Sequence, residues 1–384
     1  MHRHRIARAC AALATFATSA TFATFAALTP FAAHAEPLSF ATPPADIAAR
    51  VMNDAPGSIV VGVSRQGHSQ FAIQRNTVAQ PGTVEDTSAD GQPIFEVGSI
   101  SKLFTGVLLA QAVERGDLSL DDTVGRLLAG QVSLPPEVAA ITLRRLVTHT
   151  ACLPGMLPDA PPLAEGGNPF ARTDRARLLT GLSTLKLDRA PPCAGPYSSL
   201  GLGLLGQLLA DHYGKPWDLL VQEQIAAPLG MKDTMQHLGS PESARLAPGY
   251  EDRAARTPWD FDALAGAGAL RSTAADLLVF ARALMAGRKG PLGAAAERAL
   301  TPLGHDDKYA LGYAVRIREK AGRTLYFHTG QTGGYRALLV FSPATQEAAV
   351  MVASNTTAAA ARMADDITTT PPPPAHRPPR RRPR

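Results

Sequence analysis

Hydrophobic residues change their spacing along this chain, and the changes mark three stretches with different predicted secondary structure. Near the start, helical spacing over Asp46–Met52 is followed by the β-branched run Ser58–Val63 and an alternating run from Gln70, which predicts a helix and a β-hairpin. From Ser99 to about Leu300 the spacing is mainly helical. The period then shortens towards two, which predicts four strands: Gly312–Arg318, Thr324–His328, Tyr335–Phe341 and Glu347–Ala353.

The order of these elements predicts an α+β fold. Strands near both chain ends can meet in one antiparallel sheet flanked by helices, while the long helical stretch forms an inserted, mostly helical lobe. We place the sheet lobe at about residues 45–115 and 270–360 and the helical lobe at about 116–269. The cleft between two such lobes is the expected location of a ligand site.

The net charge of +5 on the 384 residues is concentrated at the two ends of the chain. Residues 1–35 contain three arginines and residues 371–384 contain five, and neither segment has an acidic residue. The intervening residues 36–370 therefore carry a net charge of −3, and we expect no nucleic-acid partner for them.

The two basic ends predict a targeting segment and a disordered tail. A basic start precedes the uncharged stretch Ala11–Ala33 and the sequence Ala33-His34-Ala35, a combination typical of a secretory signal peptide over residues 1–35. An uncleaved membrane anchor is the alternative; after cleavage we expect a periplasmic or secreted protein with no stable membrane span. Residues 371–384 (PPPPAHRPPRRRPR) predict an extended disordered tail, with or without a charge-based contact to an anionic surface.

Two cysteines, Cys152 and Cys193, follow the predicted signal peptide. In an oxidising compartment they can form a disulfide, and two free thiols are the alternative that the sequence leaves open. The chain has no Cys-x-x-Cys or His-Glu-x-x-His sequence, so we predict neither a metal site nor a cofactor.

The strongest local signal for chemistry is Ser99-Ile-Ser-Lys102, which is followed by a long apolar run. If a helix begins near Ser99, the serine and the lysine lie on one face, one turn apart. A serine hydroxyl must lose its proton to attack a carbonyl, and a neighbouring lysine can accept that proton if burial lowers its pKa. The start of the helix also directs backbone N–H groups and a partial positive charge towards a developing oxyanion.

The octapeptide Phe95–Lys102 resembles the active-site signature of class C β-lactamases and related penicillin-binding serine hydrolases. Further along, Tyr197-Ser198-Ser199 stands where that family has Tyr-x-Asn, and His328-Thr329-Gly330 stands where it has Lys-Thr-Gly or a His variant. The resemblance covers roughly residues 45 to 355. Other matching segments are Leu146–Pro154, Pro228–Thr234 and Gly330–Gly334.

The resemblance implies a role for each matched residue. Ser99 would be the acylated nucleophile, Lys102 its proton acceptor, and Tyr197 a general base whose phenol pKa is lowered by nearby cationic groups. The backbone N–H groups of Ser99 and Gln331 would form the oxyanion hole. The remaining substrate-binding positions are Ser199 and Gly330, together with His328 and Thr329 at the carboxylate end of the substrate.

Two residues depart from the family pattern. Ser199 replaces the usual Asn, so the amide that would bind the substrate side chain is absent. His328 replaces Lys, and an unperturbed histidine is mostly neutral at pH 7, which predicts a weaker and pH-dependent attraction for a substrate carboxylate. Formation of an acyl-enzyme is compatible with both changes. Efficient β-lactam turnover is less expected than in family members that have the usual Asn and Lys.

Several other motifs have simpler interpretations. The second Ser-x-x-Lys copy, Ser183–Lys186, is on a short segment and is interpreted as incidental. The G-x-G-x-x-G sequence Gly201–Gly206 lacks a preceding strand, so helix packing is favoured over dinucleotide binding. His149 is assigned a structural hydrogen bond, whereas Glu96 either supports the nucleophile or lies exposed on the surface.

Together these patterns and the resemblance predict an exported serine hydrolase, a class C-like β-lactamase that hydrolyses the β-lactam amide through an acyl-enzyme on Ser99. A D-alanyl-D-alanine carboxypeptidase or endopeptidase acting on peptidoglycan is the first alternative, and an esterase of the same family is the second. A penicillin-binding sensor or scaffold with little turnover is the non-catalytic alternative. The expected ligand is therefore a small β-lactam or a peptidoglycan peptide, and the sequence does not determine the oligomeric state.

Overall fold

In the computed structural model, strands from both ends of the chain lie side by side in one large sheet. The structure describes residues 38–367 except 53, 159–166, 194–196, 307, 321, 358–362 and 364–365, and these residues belong to one compact unit that runs from Pro37. The predicted signal peptide and the predicted tail lie outside the described residues. None of the described helices combines the length and the apolar character needed to span a membrane.

The described residues contain thirteen strands and twelve α-helices, labelled in chain order. The strands are β1 Gly57–Arg65, β2 His68–Asn76, β3 Val84–Asp86, β4 Phe95–Glu96, β5 Gly249–Glu251, β6 Ala254–Arg256, β7 Arg271–Ser272, β8 Gly304–His305, β9 Ala310–Leu311, β10 Arg316–Lys320, β11 Arg323–Gln331, β12 Arg336–Ser342 and β13 Glu347–Ala353. The helices are α1 Pro44–Met52, α2 Ser101–Arg115, α3 Val124–Leu127, α4 Pro136–Ala139, α5 Leu143–Val147, α6 Arg175–Thr184, α7 Ser199–Tyr213, α8 Trp217–Val221, α9 Ala227–Leu229, α10 Ser240–Ser243, α11 Ala274–Met285 and α12 Ala294–Leu300. A π-helical segment, Gln222–Ala226, and three 3₁₀ turns, Gly98–Ile100, Ala265–Ala267 and Gly287–Lys289, complete the regular structure of this part of the chain.

The large sheet has nine antiparallel strands in the order β3-β2-β1-β13-β12-β11-β10-β9-β8. The N-terminal hairpin β1–β2 therefore joins the C-terminal strands through β1 and β13, with Val60 opposite Val352. This arrangement confirms the predicted α+β fold, in which the two chain ends build one sheet around a helical insertion.

Both faces of the sheet are covered, which explains why its central strands are so apolar. Along β12, Leu338 and Val340 join the hydrophobic cluster that contains Ile47 of α1. The alternate residues Leu339 and Phe341 join the opposite cluster, which includes α2 and α11. Because successive side chains of a strand point to opposite faces, a strand buried on both faces becomes a continuous hydrophobic run.

One predicted strand, Gly312–Arg318, is wrong in its first half. The structure begins β10 only at Arg316, because Gly312 closes a turn by donating its N–H to the carbonyl of Val315 at 2.9 Å. Within that turn Ala314 has a φ of +59°, and its N–H donates to Val147 instead of to a neighbouring strand. Since the backbone hydrogen bonds of this segment go to a turn and to the end of α5, no sheet ladder can form there.

The G-x-G-x-x-G sequence lies inside α7, as the helix-packing interpretation predicts. A Cβ added to Gly206 would lie 2.9 Å from the Cα of Gly266, which belongs to the 3₁₀ turn Ala265–Ala267. A Cβ on Gly203 would lie 2.9 Å from the Cα of Leu264. These glycines therefore allow α7 to contact the backbone of the segment that leads to Ala267.

We expect Gly206→Ala to lower the free energy of unfolding by about 1–3 kcal/mol, because the added methyl overpacks a backbone contact. Gly201→Ala on the same helix is the matched control, since its Cβ would find no heavy atom closer than 3.4 Å. The control should be neutral or stabilising by up to about 1 kcal/mol through helix propensity. Urea unfolding of both variants measures the difference, and equal stabilities would contradict the packing role.

Candidate active site

Ser99 lies in a 3₁₀ turn, Gly98–Ile100, that connects β4 to α2 and is packed against the end of β11. Gly98 has a φ of +49°, and a Cβ there would lie 2.7 Å from the carbonyl oxygen of Gln331. A Cβ on Gly330 would meet the carbonyl oxygen of Val97 in the same way. This close contact brings the segments that contain the two expected oxyanion donors, Ser99 and Gln331, next to each other.

Lys102 is the second residue of α2 and is fully buried, and all three of its hydrogen-bond partners belong to the site. Its Nζ donates to Ser99 Oγ at 3.1 Å, to Ser199 Oγ at 3.3 Å and to the carbonyl oxygen of Ala267 at 2.6 Å. Burial, assisted by the positive charge of Arg316, lowers the pKa of Lys102 to about 7. A large fraction of Lys102 is therefore neutral near pH 7 and able to accept the proton of Ser99.

Tyr197 lies at the centre of a ring of nitrogen-containing side chains. Lys102 Nζ is 4.8 Å and Arg316 Cζ is 5.5 Å from the centroid of its ring, while the rings of His149 and His328 lie at 4.5 and 6.0 Å. Although about a third of its surface is exposed, these neighbours exclude much of the surrounding water.

The pKa of Tyr197 moves in the direction opposite to the prediction. Burial raises this pKa above its ordinary value, and the opposing effects of a hydrogen bond to Ser99 and of the Arg316 charge are smaller. The expectation that nearby cationic groups lower it is therefore wrong. With a neutral phenol at Tyr197 and a partly neutral amine at Lys102, the lysine is the better proton acceptor.

His328 is buried and neutral, and the prediction that it titrates near its ordinary pKa is wrong. Its Nδ1 is 2.7 Å from the carbonyl oxygen of Thr329, so that nitrogen carries the hydrogen. Burial, and then the charges of Arg316 and Lys102, hold the pKa of His328 well below 6.5. The triplet that begins with His328 therefore presents a neutral imidazole beside the half-buried Thr329.

Arg316 is a residue of the candidate site that the sequence did not predict. Its guanidinium lies between the rings of Tyr197 and Tyr309, at 5.5 and 5.8 Å, and it lines a cavity of about 30 Å³ that His328 also lines. The hairpin formed by β10 and β11 could have indicated this position. Its turn at Gly322 places Arg316 opposite Phe327, which is the residue before His328. It follows that the positive charge absent from β11 is supplied by the neighbouring strand.

The remaining predicted residues fall as follows. Ser199 is the first residue of α7, where its hydroxyl contacts Lys102, and Gln331 is exposed at the end of β11. A disulfide joins Cys152 and Cys193, which decides between the two alternatives that the sequence left open. Among the described residues, no group of His, Cys, Asp and Glu side chains is arranged to hold a metal ion.

The alternative interpretations of three other residues are also decided. Glu96 is buried, so its surface interpretation is wrong: its Oε1 accepts the N–H of Trp259 at 2.7 Å and lies 3.4 Å from Arg271. Burial raises the pKa of Glu96 to about 7. His149 accepts a backbone hydrogen bond from Ser198, which confirms its structural assignment. In the second Ser-x-x-Lys copy, the helix ends at Thr184 and the lysine is exposed, which supports the incidental interpretation.

Comparison with known proteins places this geometry in a family. The family model "Beta-lactamase" matches residues 53–369. The curated relatives include the D-alanyl-D-alanine-carboxypeptidase/endopeptidase AmpH of Escherichia coli, 33% identical over 186 residues, which are 48% of this chain and 47% of the relative. They also include penicillin-binding protein 4 of Amycolatopsis lactamdurans, 30% identical over 200 residues, 49% of this chain and 50% of the relative. The chain thus spans about half the length of the curated relatives it matches.

Solved structures have the same fold over most of their length. A class C β-lactamase from Rhodobacter sphaeroides superposes with a TM-score of 0.67 at 23% identity, covering 84% of this chain and 98% of that one. A β-lactamase/D-alanine carboxypeptidase from Yersinia pestis, complexed with citrate, gives a TM-score of 0.71 at 22% identity, covering 85% and 96%. Because the family model matches most of the chain, this protein belongs to the β-lactamase family.

Proposed function

We propose that this protein is a serine β-lactamase of the class C type, which hydrolyses the β-lactam amide through an acyl-enzyme on Ser99. The observation that supports this most directly is the 3.1 Å hydrogen bond between Lys102 Nζ and Ser99 Oγ, made by a lysine that burial keeps partly neutral. A lysine with its ordinary pKa would stay protonated and could not accept the proton of Ser99.

The proposed reaction has two halves. Neutral Lys102 takes the hydroxyl proton as Ser99 Oγ attacks the carbonyl carbon, and the N–H groups of Ser99 and Gln331 stabilise the oxyanion, an effect of about 3 kcal/mol in comparable sites. The amide C–N bond then breaks, and its nitrogen receives a proton from Lys102 through the adjacent Tyr197 hydroxyl. Water subsequently attacks the ester, gives its proton to the same base and restores Ser99 with release of the carboxylic acid.

Recognition of the substrate carboxylate is assigned to Arg316 and Thr329. Arg316 brings a guanidinium to the cavity, whereas His328 in the same cavity is neutral. A guanidinium can also donate two parallel hydrogen bonds to a carboxylate, which a single lysine ammonium cannot do. The group proposed to select an anionic substrate is therefore the guanidinium and not the imidazole of His328.

A D-alanyl-D-alanine carboxypeptidase or endopeptidase is the second candidate, because a curated relative with 33% identity has that activity in its name. Both reactions share the acylation step, and both substrates carry a carboxylate at one end. The two reactions differ in how fast water removes the acyl group from the serine. Position 199 has Ser where the family has Asn, so one contact to the substrate is lost. Deacylation rate is therefore the property that separates the two functions.

Export to the periplasm or to the exterior is part of the proposal. It is supported by the signal-like residues 1–35 and by the disulfide between Cys152 and Cys193, a bond that persists in oxidising compartments. In that location a β-lactamase would protect a bacterium against β-lactam antibiotics.

Ser99→Ala should abolish covalent labelling by a fluorescent penicillin and reduce turnover of a chromogenic cephalosporin by at least about a thousandfold. Ser183→Ala, in the incidental Ser-x-x-Lys copy, is the matched control and should behave like the unaltered protein. Fast colour release indicates the β-lactamase, and a persistent label with slow release indicates the peptidase. A label that survives in Ser99→Ala would contradict the acyl-serine assignment.

We expect kcat/KM to rise with pH through a midpoint near 7, because protonated Lys102 cannot accept the proton of Ser99 and the neutral amine can. Initial rates measured between about pH 5.5 and 8.5 give the profile. Glu96 also has a pKa of about 7, so Glu96→Gln is the control. If the midpoint disappears in Glu96→Gln, the glutamate and not Lys102 governs the profile.

Arg316→Gln should raise KM for a carboxylate-bearing substrate by about tenfold or more, since a hydrogen-bonded ion pair is lost. It should also move the pH midpoint upwards, because the Arg316 charge contributes to the lowered pKa of Lys102. Arg318→Gln, two residues further along β10, makes the same change in net charge and is the control. Equal KM values for the two variants would exclude Arg316 from carboxylate binding.

A further inference from the structure

We propose that the loop after α5 is a clamp that positions Tyr197, with His149 as its positioning residue and the disulfide as its closure. We call this unit the Tyr197 clamp. Its loop residues are His149, Thr150, Cys152, Pro154 and Gly155, and the residues that they hold are Cys193, Ser198 and Leu200. The proposal deepens the proposed function and rests on it, because the position of Tyr197 affects a rate only if Ser99 is acylated.

The residues that follow Tyr197 make three hydrogen bonds to the clamp loop. The N–H of Ser198 donates to Nδ1 of His149 at 3.1 Å, and the hydroxyl of Ser198 donates to the carbonyl of Pro154 at 2.7 Å. One residue into α7, the N–H of Leu200 donates to the carbonyl of Gly155 at 2.9 Å. These bonds fix the start of α7 and therefore the backbone immediately next to Tyr197.

Cys193, which precedes Tyr197 in the chain, is tied to the same loop. Cys193 lies four positions before the tyrosine, and its N–H donates to the carbonyl of Thr150 at 3.3 Å. Its sulfur is bonded to that of Cys152. The clamp loop therefore holds Cys193 as well as Ser198, and the disulfide is the covalent part of that attachment.

The clamp loop has an unusual backbone that its surroundings keep in place. Both His149 and Cys152 have a φ of +57°, a left-handed conformation that residues other than glycine seldom adopt. Thr150 ties this backbone to α5, because its N–H donates to the carbonyl of Arg145 at 3.0 Å and its hydroxyl contacts Thr148 at 2.9 Å. Strained conformations of this kind persist only where several contacts impose them, and they concentrate at functional sites.

His149 contributes its ring as well as its hydrogen bond. The ring lies against Tyr197 with centroids 4.5 Å apart, while Lys102 Nζ lies 4.8 Å from the centre of the tyrosine. Burial and the nearby charges of Lys102 and Arg316 lower the pKa of His149 to about 3, so its Nδ1 is always available as an acceptor. His149 therefore fixes both the backbone and the ring of Tyr197 without touching the reacting atoms.

Opening the clamp should slow catalysis more than it weakens substrate binding. A displacement of about 1 Å in a catalytic group can reduce a rate by about a hundredfold. Arg316, which is proposed to bind the carboxylate, lies on β10, outside the clamp, so binding of the substrate should change less. We expect Cys152→Ser/Cys193→Ser, and the unaltered protein treated with dithiothreitol, to lose about tenfold or more in kcat with KM little changed. Dithiothreitol added to the double variant is the matched control and should have no further effect.

A pair of substitutions at His149 tests the clamp without altering the disulfide. In His149→Asn the amide oxygen can occupy the position of Nδ1 and accept the N–H of Ser198, whereas His149→Leu fills the space without an acceptor. We expect the Asn variant to recover more of the kcat that the Leu variant loses than the difference in their thermal stabilities accounts for, since Asn also tolerates the left-handed backbone at position 149 better than Leu. If both variants lose kcat equally and only in proportion to their stability, His149 is merely structural and the proposal is overturned.

A readout that does not depend on turnover separates the clamp from the proposed function. Tetranitromethane nitrates phenols through their ionised form, so a raised pKa and close neighbours should make Tyr197 react slowly in the clamped protein. The Cys152→Ser/Cys193→Ser variant, or His149→Leu, should accelerate nitration of Tyr197 several-fold, measured by peptide mass spectrometry, while the half-buried Tyr213 reacts as before. An unchanged rate for Tyr197 overturns the clamp even if Ser99 is acylated, and a changed rate supports it even if no substrate is turned over.

Discussion

The active site depends on the complete burial of one lysine. The ammonium group of Lys102 has exchanged water for three neutral oxygens, those of Ser99, Ser199 and Ala267. No carboxylate is among these partners, so the Coulomb energy that usually compensates a buried cation is missing and the charged form is disfavoured. In the proposed function the lysine therefore acts as a base near pH 7, and the elements that exclude water from it support that role.

Excluding water around Lys102 requires backbones to approach more closely than side chains permit. Gly98 contacts Gln331 on the sheet side of the nucleophile, and Gly206 contacts Gly266 on the helical side. The first contact joins the turn that contains Ser99 to β11, and the second joins α7 to the turn Ala265–Ala267. In both, a single added methyl group would collide with the facing backbone. Glycine is therefore needed at these positions because it has no side chain. The G-x-G-x-x-G sequence, which resembles a nucleotide-binding fingerprint, thus helps to enclose Lys102.

The sequence predicts those parts of the site that local spacing or the family resemblance determines. Ser99 and Lys102 are three residues apart at the start of a helix, and their predicted position on one face follows from helical geometry. The raised pKa of Tyr197 depends on burial among segments that lie far from it in the sequence, and the contact between Tyr197 and Arg316 joins segments more than a hundred residues apart. The prediction of a strand over Gly312–Val315 is wrong for a related reason. The sequence there has a strand-like pattern, but its backbone hydrogen bonds go to α5 and to its own turn.

Arg316 and His328 are best understood as one arrangement of charge. Both line the cavity beside Tyr197, and the arginine is the first electrostatic cause, after burial, that keeps the histidine neutral. A lysine at position 328 would add a second positive charge to the same enclosed space, where it would be repelled by Arg316 and would lower the pKa of Lys102 further. A neutral imidazole avoids that repulsion and leaves the guanidinium as the cation that meets a substrate carboxylate. Under the proposed function, therefore, the carboxylate is attracted towards β10 as well as β11, by a planar guanidinium.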